Sequence, residues 1–76
     1  METIYYYKNY FGDFIFSTGE KLTDQDVSPF LRRLRRSGQE AVRLYPNEPA
    51  DKAMICRVFG YRNDLTWKEI YHDCAE

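Results

Sequence analysis

The feature that most constrains this chain is an amphipathic helix pattern in residues 27–36, V-S-P-F-L-R-R-L-R-R. At about 100° per residue, four apolar side chains fall on one side of a helix and four arginines fan across the other. The apolar set is Val27, Phe30, Leu31 and Leu34, and the basic set is Arg32, Arg33, Arg35 and Arg36. The pattern predicts a short helix that packs one face on a core and presents four guanidinium groups to solvent.

Helix-capping residues flank this pattern. Pro29 has no backbone N–H and is tolerated in the first turn, which predicts Asp26 or Ser28 as the N-cap. Thr23 and Asp26 have the spacing of a weak capping box. Gly38 follows the last arginine and is expected to end the helix in the left-handed conformation.

A β-hairpin is expected in residues 3–18, where T-I-Y-Y-Y-K and F-I-F-S-T are rich in strand-forming residues. The turn lies at residues 11–13 or begins earlier, at residues 8–9, and Gly19 ends the second strand.

The two faces of the first strand differ in composition. Ile4 and Tyr6 share one face, and Thr3, Tyr5 and Tyr7 share the other. If helices cover only one face of the sheet, we expect one row of tyrosines to lie near water.

The second half of the chain contains two further apolar runs of strand length. Residues 40–45 alternate Val42 and Leu44 with more polar neighbours, as in a strand with one buried face. Residues 52–61, K-A-M-I-C-R-V-F-G-Y, are interpreted as its hairpin partner, with Gly60 at the end or in a bulge.

The last segment predicts a second helix. Thr66 and Glu69 form a capping box, and Leu65 faces Ile70 as a hydrophobic staple. An apolar stripe follows at helical spacing, made of Trp67, Ile70, Tyr71 and Cys74.

These elements predict a single α+β domain over residues 1–76, in the order β-β-α-β-β-α. We expect an antiparallel sheet with two amphipathic helices on one face. The other face is then available to a partner or to a second copy of the chain. The content of 43% hydrophobic and 17% aromatic residues excludes a disordered chain.

The sequence predicts a reduced, cytoplasmic protein. We see neither a signal peptide nor a membrane-spanning apolar segment in it. Cys56 and Cys74 are therefore interpreted as reduced thiols that act as small buried hydrophobes, with Cys56 in a strand.

No residue set predicts catalysis, a metal site or a cofactor. His72 is interpreted as a surface residue near a helix end, where positive charge is favoured. Cys56, His72 and Cys74 lack the spacing of a zinc site, and the four glycines do not form a phosphate-binding loop. We therefore expect a protein that is not an enzyme.

Charge is distributed unevenly along the chain. Residues 1–26 contain two lysines and five acidic residues, residues 27–62 contain eight basic and three acidic residues, and residues 63–76 contain one lysine and four acidic residues. A basic middle between acidic ends can attract a partner, or the acidic ends can fold over the arginines and neutralise them.

Three interpretations of the arginines stay open. Arginine and tyrosine are enriched at the energetic centres of protein interfaces, which favours an accessory regulator or inhibitor that binds a protein. The alternative is nucleic-acid binding, with arginines on phosphates and tyrosines stacked on bases, although the pI of about 5.8 argues against it. The third interpretation is a solvated helix face. A homodimer would occupy the same surfaces.

The candidate partner-binding residues are the four arginines of the helix pattern and two tyrosines of the hairpin: Arg32, Arg33, Arg35, Arg36, Tyr5 and Tyr7.

We predict that the Thr66→Ala substitution lowers the free energy of unfolding by about 1 kcal/mol, because it removes the N-cap hydroxyl of the last helix. Thermal unfolding measures the effect, and an unchanged melting temperature would refute the cap.

Overall fold

The computed structural model describes residues 2–61 of the chain, which form an α+β arrangement of four strands and two helices. In chain order they are β1 (Thr3–Lys8), β2 (Phe14–Phe16), β3 (Lys21–Leu22), α1 (Asp24–Arg36), β4 (Glu40–Arg43) and α2 (Pro49–Phe59). The helix expected after Thr66 lies outside the described residues.

The sheet is mixed, with strand order β3-β2-β1-β4. The hairpin prediction is confirmed: β1 and β2 are antiparallel, with Tyr6 opposite Phe16 and Lys8 opposite Phe14. β4 runs parallel to β1, with Tyr5 opposite Val42. The expectation of a purely antiparallel sheet was therefore wrong, because α1 carries the chain back across the sheet before β4 joins β1.

The largest correction concerns residues 52–61, which belong to helix α2 and not to a strand. Pro49 lies in the first turn, where its missing N–H costs no hydrogen bond, and Gly60 ends the helix with φ 75°. Cys56 is buried, as expected, but on this helix. Residues 40–45 and 52–61 therefore do not form the expected hairpin, and β3 instead pairs antiparallel with β2.

Helices α1 and α2 pack on opposite faces of the sheet. The second helix that was expected on the same face as α1 is the one after Thr66, which lies outside the described residues. On the α1 side, Val27 and Leu34 of the helix cluster with Ile4, Tyr6, Phe14 and Phe16 of the sheet. On the α2 side, Ile55 clusters with Tyr7 and Leu44. Both faces of β1 are thus buried, and the expected row of tyrosines near water is absent from this strand.

Helix α1 begins earlier than predicted. Its N-cap is Thr23, whose hydroxyl donates to the Asp26 carboxylate at 3.2 Å. Pro29 therefore lies inside the helix and leaves the Gln25 carbonyl without its helical donor. Both residues are exposed, so water can supply that donor.

The C-terminal end of α1 is as predicted. Gly38 has φ 80°, its N–H donates to the Arg35 carbonyl, and the Gln39 N–H donates to the Leu34 carbonyl. This pair of bonds is a Schellman motif, which turns the chain directly into β4.

We predict that Ile55→Ala lowers the free energy of unfolding by roughly 2–5 kcal/mol and Ile55→Val by about 0.5–1.5 kcal/mol. Ile55 is 0% exposed on the inner side of α2, so truncation leaves a cavity against the sheet. Urea unfolding measures both effects. Arg57→Ala, at an exposed position of the same helix, is the control and should change stability by less than about 0.5 kcal/mol. Equal effects at positions 55 and 57 would contradict this placement of α2.

Candidate functional site

The two-sided pattern of α1 is confirmed. Val27 and Leu34 are buried, and Phe30 and Leu31 pack against the same cluster. The opposite side is formed by four exposed arginines, which we call the arginine face: Arg32, Arg33, Arg35 and Arg36.

Within the arginine face, helical geometry gives the four side chains different positions. Arg32 and Arg36 lie one turn apart and almost opposite the buried stripe, whereas Arg33 and Arg35 lie on the two flanks. The Arg33 guanidinium sits 5.3 Å from the centroid of the Phe30 ring. A helix on a packed core thus presents four guanidinium groups, and the backbone positions of Arg32 and Arg36 lie about 6 Å apart along its axis, at 1.5 Å per residue.

Among residues 2–61, no carboxylate lies within ion-pair distance of the arginine face. The nearby acidic residues make other contacts: Asp24 lies 3.9 Å from Lys8, Asp13 lies 3.7 Å from Lys21, and Asp26 accepts the Thr23 hydroxyl. The described acidic residues of the N-terminal segment therefore do not neutralise the arginines. The acidic residues of the last segment lie outside the described residues.

The two predicted tyrosines do not share a surface with the arginines. Tyr7 is 1% exposed and belongs to the α2-side cluster, where its hydroxyl is 3.0 Å from the Tyr61 hydroxyl and its ring meets Phe59 edge-on. Tyr5 is half-buried against the same cluster. In this fold Tyr7 is a core residue, and its side chain is not accessible to a partner.

A pair of exposed aromatic residues was missed by the sequence analysis. Tyr10 and Phe11 follow β1 in the hairpin loop and are 43% and 77% exposed. Their rings contact each other edge to face, with centroids 5.1 Å apart. We call this pair the aromatic tip. Burying a phenylalanine side chain is worth roughly 1.5–3 kcal/mol, and the described fold forgoes most of that at Phe11.

Main-chain hydrogen bonds hold the aromatic tip in place. The Gly12 N–H donates to the Asn9 carbonyl at 3.1 Å, which makes Tyr10 and Phe11 the central residues of a β-turn. The Asp13 N–H donates to Oδ1 of Asn9 at 2.9 Å. Gly12 has φ 89°, a conformation that glycine adopts without strain. The aromatic tip is therefore an ordered feature of the hairpin.

Cationic and aromatic side chains adjoin the aromatic tip. A Cβ at Gly12 would lie 3.9 Å from Cε of Lys8, and Nζ of Lys8 lies 5.7 Å from the Phe14 ring centroid. The Arg43 guanidinium lies 5.2 Å from the same ring and 4.9 Å from that of Tyr45, an exposed aromatic residue just beyond β4. No carboxylate in residues 2–61 pairs with Arg43. One end of the sheet is thus both aromatic and basic.

The aromatic tip and the arginine face lie toward opposite ends of α1. The 3.9 Å contact between Lys8 and Asp24 ties the hairpin to the first residue of the helix. At 1.5 Å per residue, Arg32 and Arg36 follow about 12 and 18 Å farther along the axis. The structure therefore presents two separate surfaces at a fixed spacing.

Neither a metal site nor a membrane-spanning helix is found among the described residues. Residues 2–61 contain no cluster of His, Cys, Asp and Glu side chains suited to hold a metal ion, and His72 and Cys74 lie outside them. No helix in this part of the chain has the length and apolar character needed to cross a membrane.

Comparison of the chain with family models, with curated proteins and with solved structures finds no match. Inferences about function therefore rest on the two surfaces themselves.

We predict that Gly12→Ala lowers the free energy of unfolding by about 1–2 kcal/mol, because a Cβ is disfavoured at φ 89°. Gly12→Asn is the matched variant, since asparagine enters this region more readily, and it should cost less than alanine. Urea unfolding compares the two. A Gly12→Ala protein as stable as the wild type would contradict the turn geometry.

Proposed function

We propose that this protein is a small non-enzymatic binding protein, of the accessory regulator or inhibitor type, that acts in the cytoplasm. It binds a protein partner through the arginine face. The observation that carries the proposal is the row of four exposed guanidinium groups without a carboxylate partner among residues 2–61. It requires no cofactor.

Guanidinium chemistry defines the partner. Each planar guanidinium can donate two parallel hydrogen bonds to one carboxylate, and the helix fixes the backbone positions from which the four side chains extend. Arg32 and Arg36 project farthest from the core and are the expected centre of the contact. The matching surface on the partner is a row of aspartate and glutamate side chains.

Nucleic acid is the alternative ligand, because phosphates also bind guanidinium groups. Three observations favour a protein. Of the two tyrosines expected to stack on bases, Tyr7 is buried and Tyr5 is half-buried. Exposed Asp24 and Asp26 at the start of α1 would repel a phosphate backbone that follows the helix. The chain also has a formal net charge of −1, whereas nucleic-acid-binding domains are typically basic.

We predict that reversing the arginine face, with Glu at positions 32, 33, 35 and 36, weakens binding of the partner at least about 100-fold, because attraction to its carboxylates becomes repulsion. The tagged protein is incubated with native cytosol, with and without nuclease, and retained proteins are identified by mass spectrometry. Dissociation constants of the retained protein are then measured.

Controls separate charge from folding. Arg57→Glu reverses an exposed charge on α2, which packs on the opposite face of the sheet, and should leave binding unchanged. Circular dichroism should show that the reversed variant keeps its helix content. Retention of nuclease-sensitive material alone, or equal affinity of the reversed variant, would overturn the proposal.

A further inference from the structure

We propose that the aromatic tip is a second, apolar anchor for the same protein partner, and that it inserts into an apolar pocket with carboxylates on its rim. The inference rests on the proposed function, since it assumes a protein partner. It adds a contact site that the arginine face does not contain, and it states the chemistry of the surface that receives it.

Tyr10 and Phe11 are unusual residues for the central positions of a β-turn. Central positions of β-turns favour Pro, Asn, Asp, Ser and Gly, because these residues adopt or stabilise the turn backbone. Here the positions hold Tyr10 and Phe11, while Asn9 and Gly12 supply the turn chemistry. The aromatic rings are thus not needed to form the turn. Among the described residues they also add little to the core, since Phe11 is 77% exposed.

The backbone of the aromatic tip is held by hydrogen bonds within the loop. The edge-to-face contact packs the two rings against each other. A preordered aromatic group loses little conformational entropy on binding, and large aromatic side chains in desolvated pockets dominate many protein interfaces. A projecting pair of rings fits a concave pocket better than a flat surface.

Charge beside the tip indicates the rim of the pocket. The Arg43 guanidinium is held between the Phe14 and Tyr45 rings and has no carboxylate partner within residues 2–61. Cation–π contacts with two rings restrain the guanidinium, and no carboxylate among residues 2–61 accepts its N–H groups. A carboxylate at the pocket edge would complete these hydrogen bonds as the tip enters.

Spacing relates this anchor to the arginine face. Because the hairpin contacts the start of α1 through Lys8 and Asp24, while Arg32 and Arg36 lie about 12 and 18 Å farther along the helix axis, the partner must present its pocket and its acidic row as separate patches. Single-stranded nucleic acid fits the tip less well. The two rings of the aromatic tip meet at 70°, so they do not offer parallel faces on which successive bases could stack.

The test compares tip and arginine variants of the full chain against the protein retained by the wild type after nuclease treatment. Phe11→Ala should raise the dissociation constant at least about thirtyfold, the effect of losing a central aromatic anchor. Phe11→Leu should retain part of the affinity. Thr18→Ala, in the exposed turn between β2 and β3, is the control and should bind as the wild type does. Thermal unfolding verifies that each variant is folded.

Salt dependence separates the two surfaces. The loss caused by Phe11→Ala should be the same at low and high salt, because it removes apolar contact, whereas the loss caused by reversing the arginines should shrink as salt screens charge. Replacement of Phe11 by the photoreactive p-benzoylphenylalanine should crosslink to a partner segment that contains apolar residues and Asp or Glu.

Each outcome decides between the proposals. A Phe11→Ala protein with wild-type affinity, beside a reversed-arginine protein that has lost binding, overturns the anchor and leaves the proposed function standing. If Phe11→Ala loses affinity while the reversed-arginine protein keeps it, the anchor is supported and the arginine face is overturned as a binding surface. Retention of nothing, or of nuclease-sensitive material alone, overturns both.

Discussion

The fold depends on one strand that buries both of its faces. β1 lies between β2 and β4, so its main chain is hydrogen-bonded on both sides, and its side chains alternate between two clusters. Tyr6 stacks on Phe16 at 4.9 Å on the α1 side, and Tyr7 meets Phe59 at 5.0 Å on the α2 side. A strand that is apolar on both faces needs a covering layer on each, which requires the two helices to pack on opposite faces.

Features set by neighbouring residues could be predicted from the sequence. The division of α1 into apolar and basic sides follows from helical spacing over ten residues, and Gly38 marks its end because few other residues adopt its backbone conformation. The first hairpin is predicted equally well, since Asn9 and Gly12 form a local turn. The arginine half of the candidate site can therefore be predicted from the sequence pattern alone.

Features set by distant contacts could not be predicted in this way. An apolar run such as residues 52–61 fits a buried strand or a helix, and only its ends distinguish them. Pro49 in the first turn and Gly60 just after the last turn favour the helix, and these two residues are the local signals that distinguish it from a strand. Once α2 is a helix, it must cover the sheet face opposite α1, and Tyr7 then changes from a surface residue into a core residue. The unexpected burial of Tyr7 therefore follows from the unexpected helix α2.

The aromatic residues near the N-terminus show why residue type alone does not identify a binding surface. Tyr5 to Tyr7 stand in a strand whose pleat directs each ring toward one of the two helices, and burial there stabilises the fold. Tyr10 and Phe11 stand two and three residues beyond the end of that strand, where the chain turns away from both layers. Because the turn is hydrogen-bonded to itself and contacts the start of α1 through Lys8 and Asp24, these exposed rings keep a fixed position relative to the arginines. A partner that matches both surfaces is thereby distinguished from one that matches only the charge.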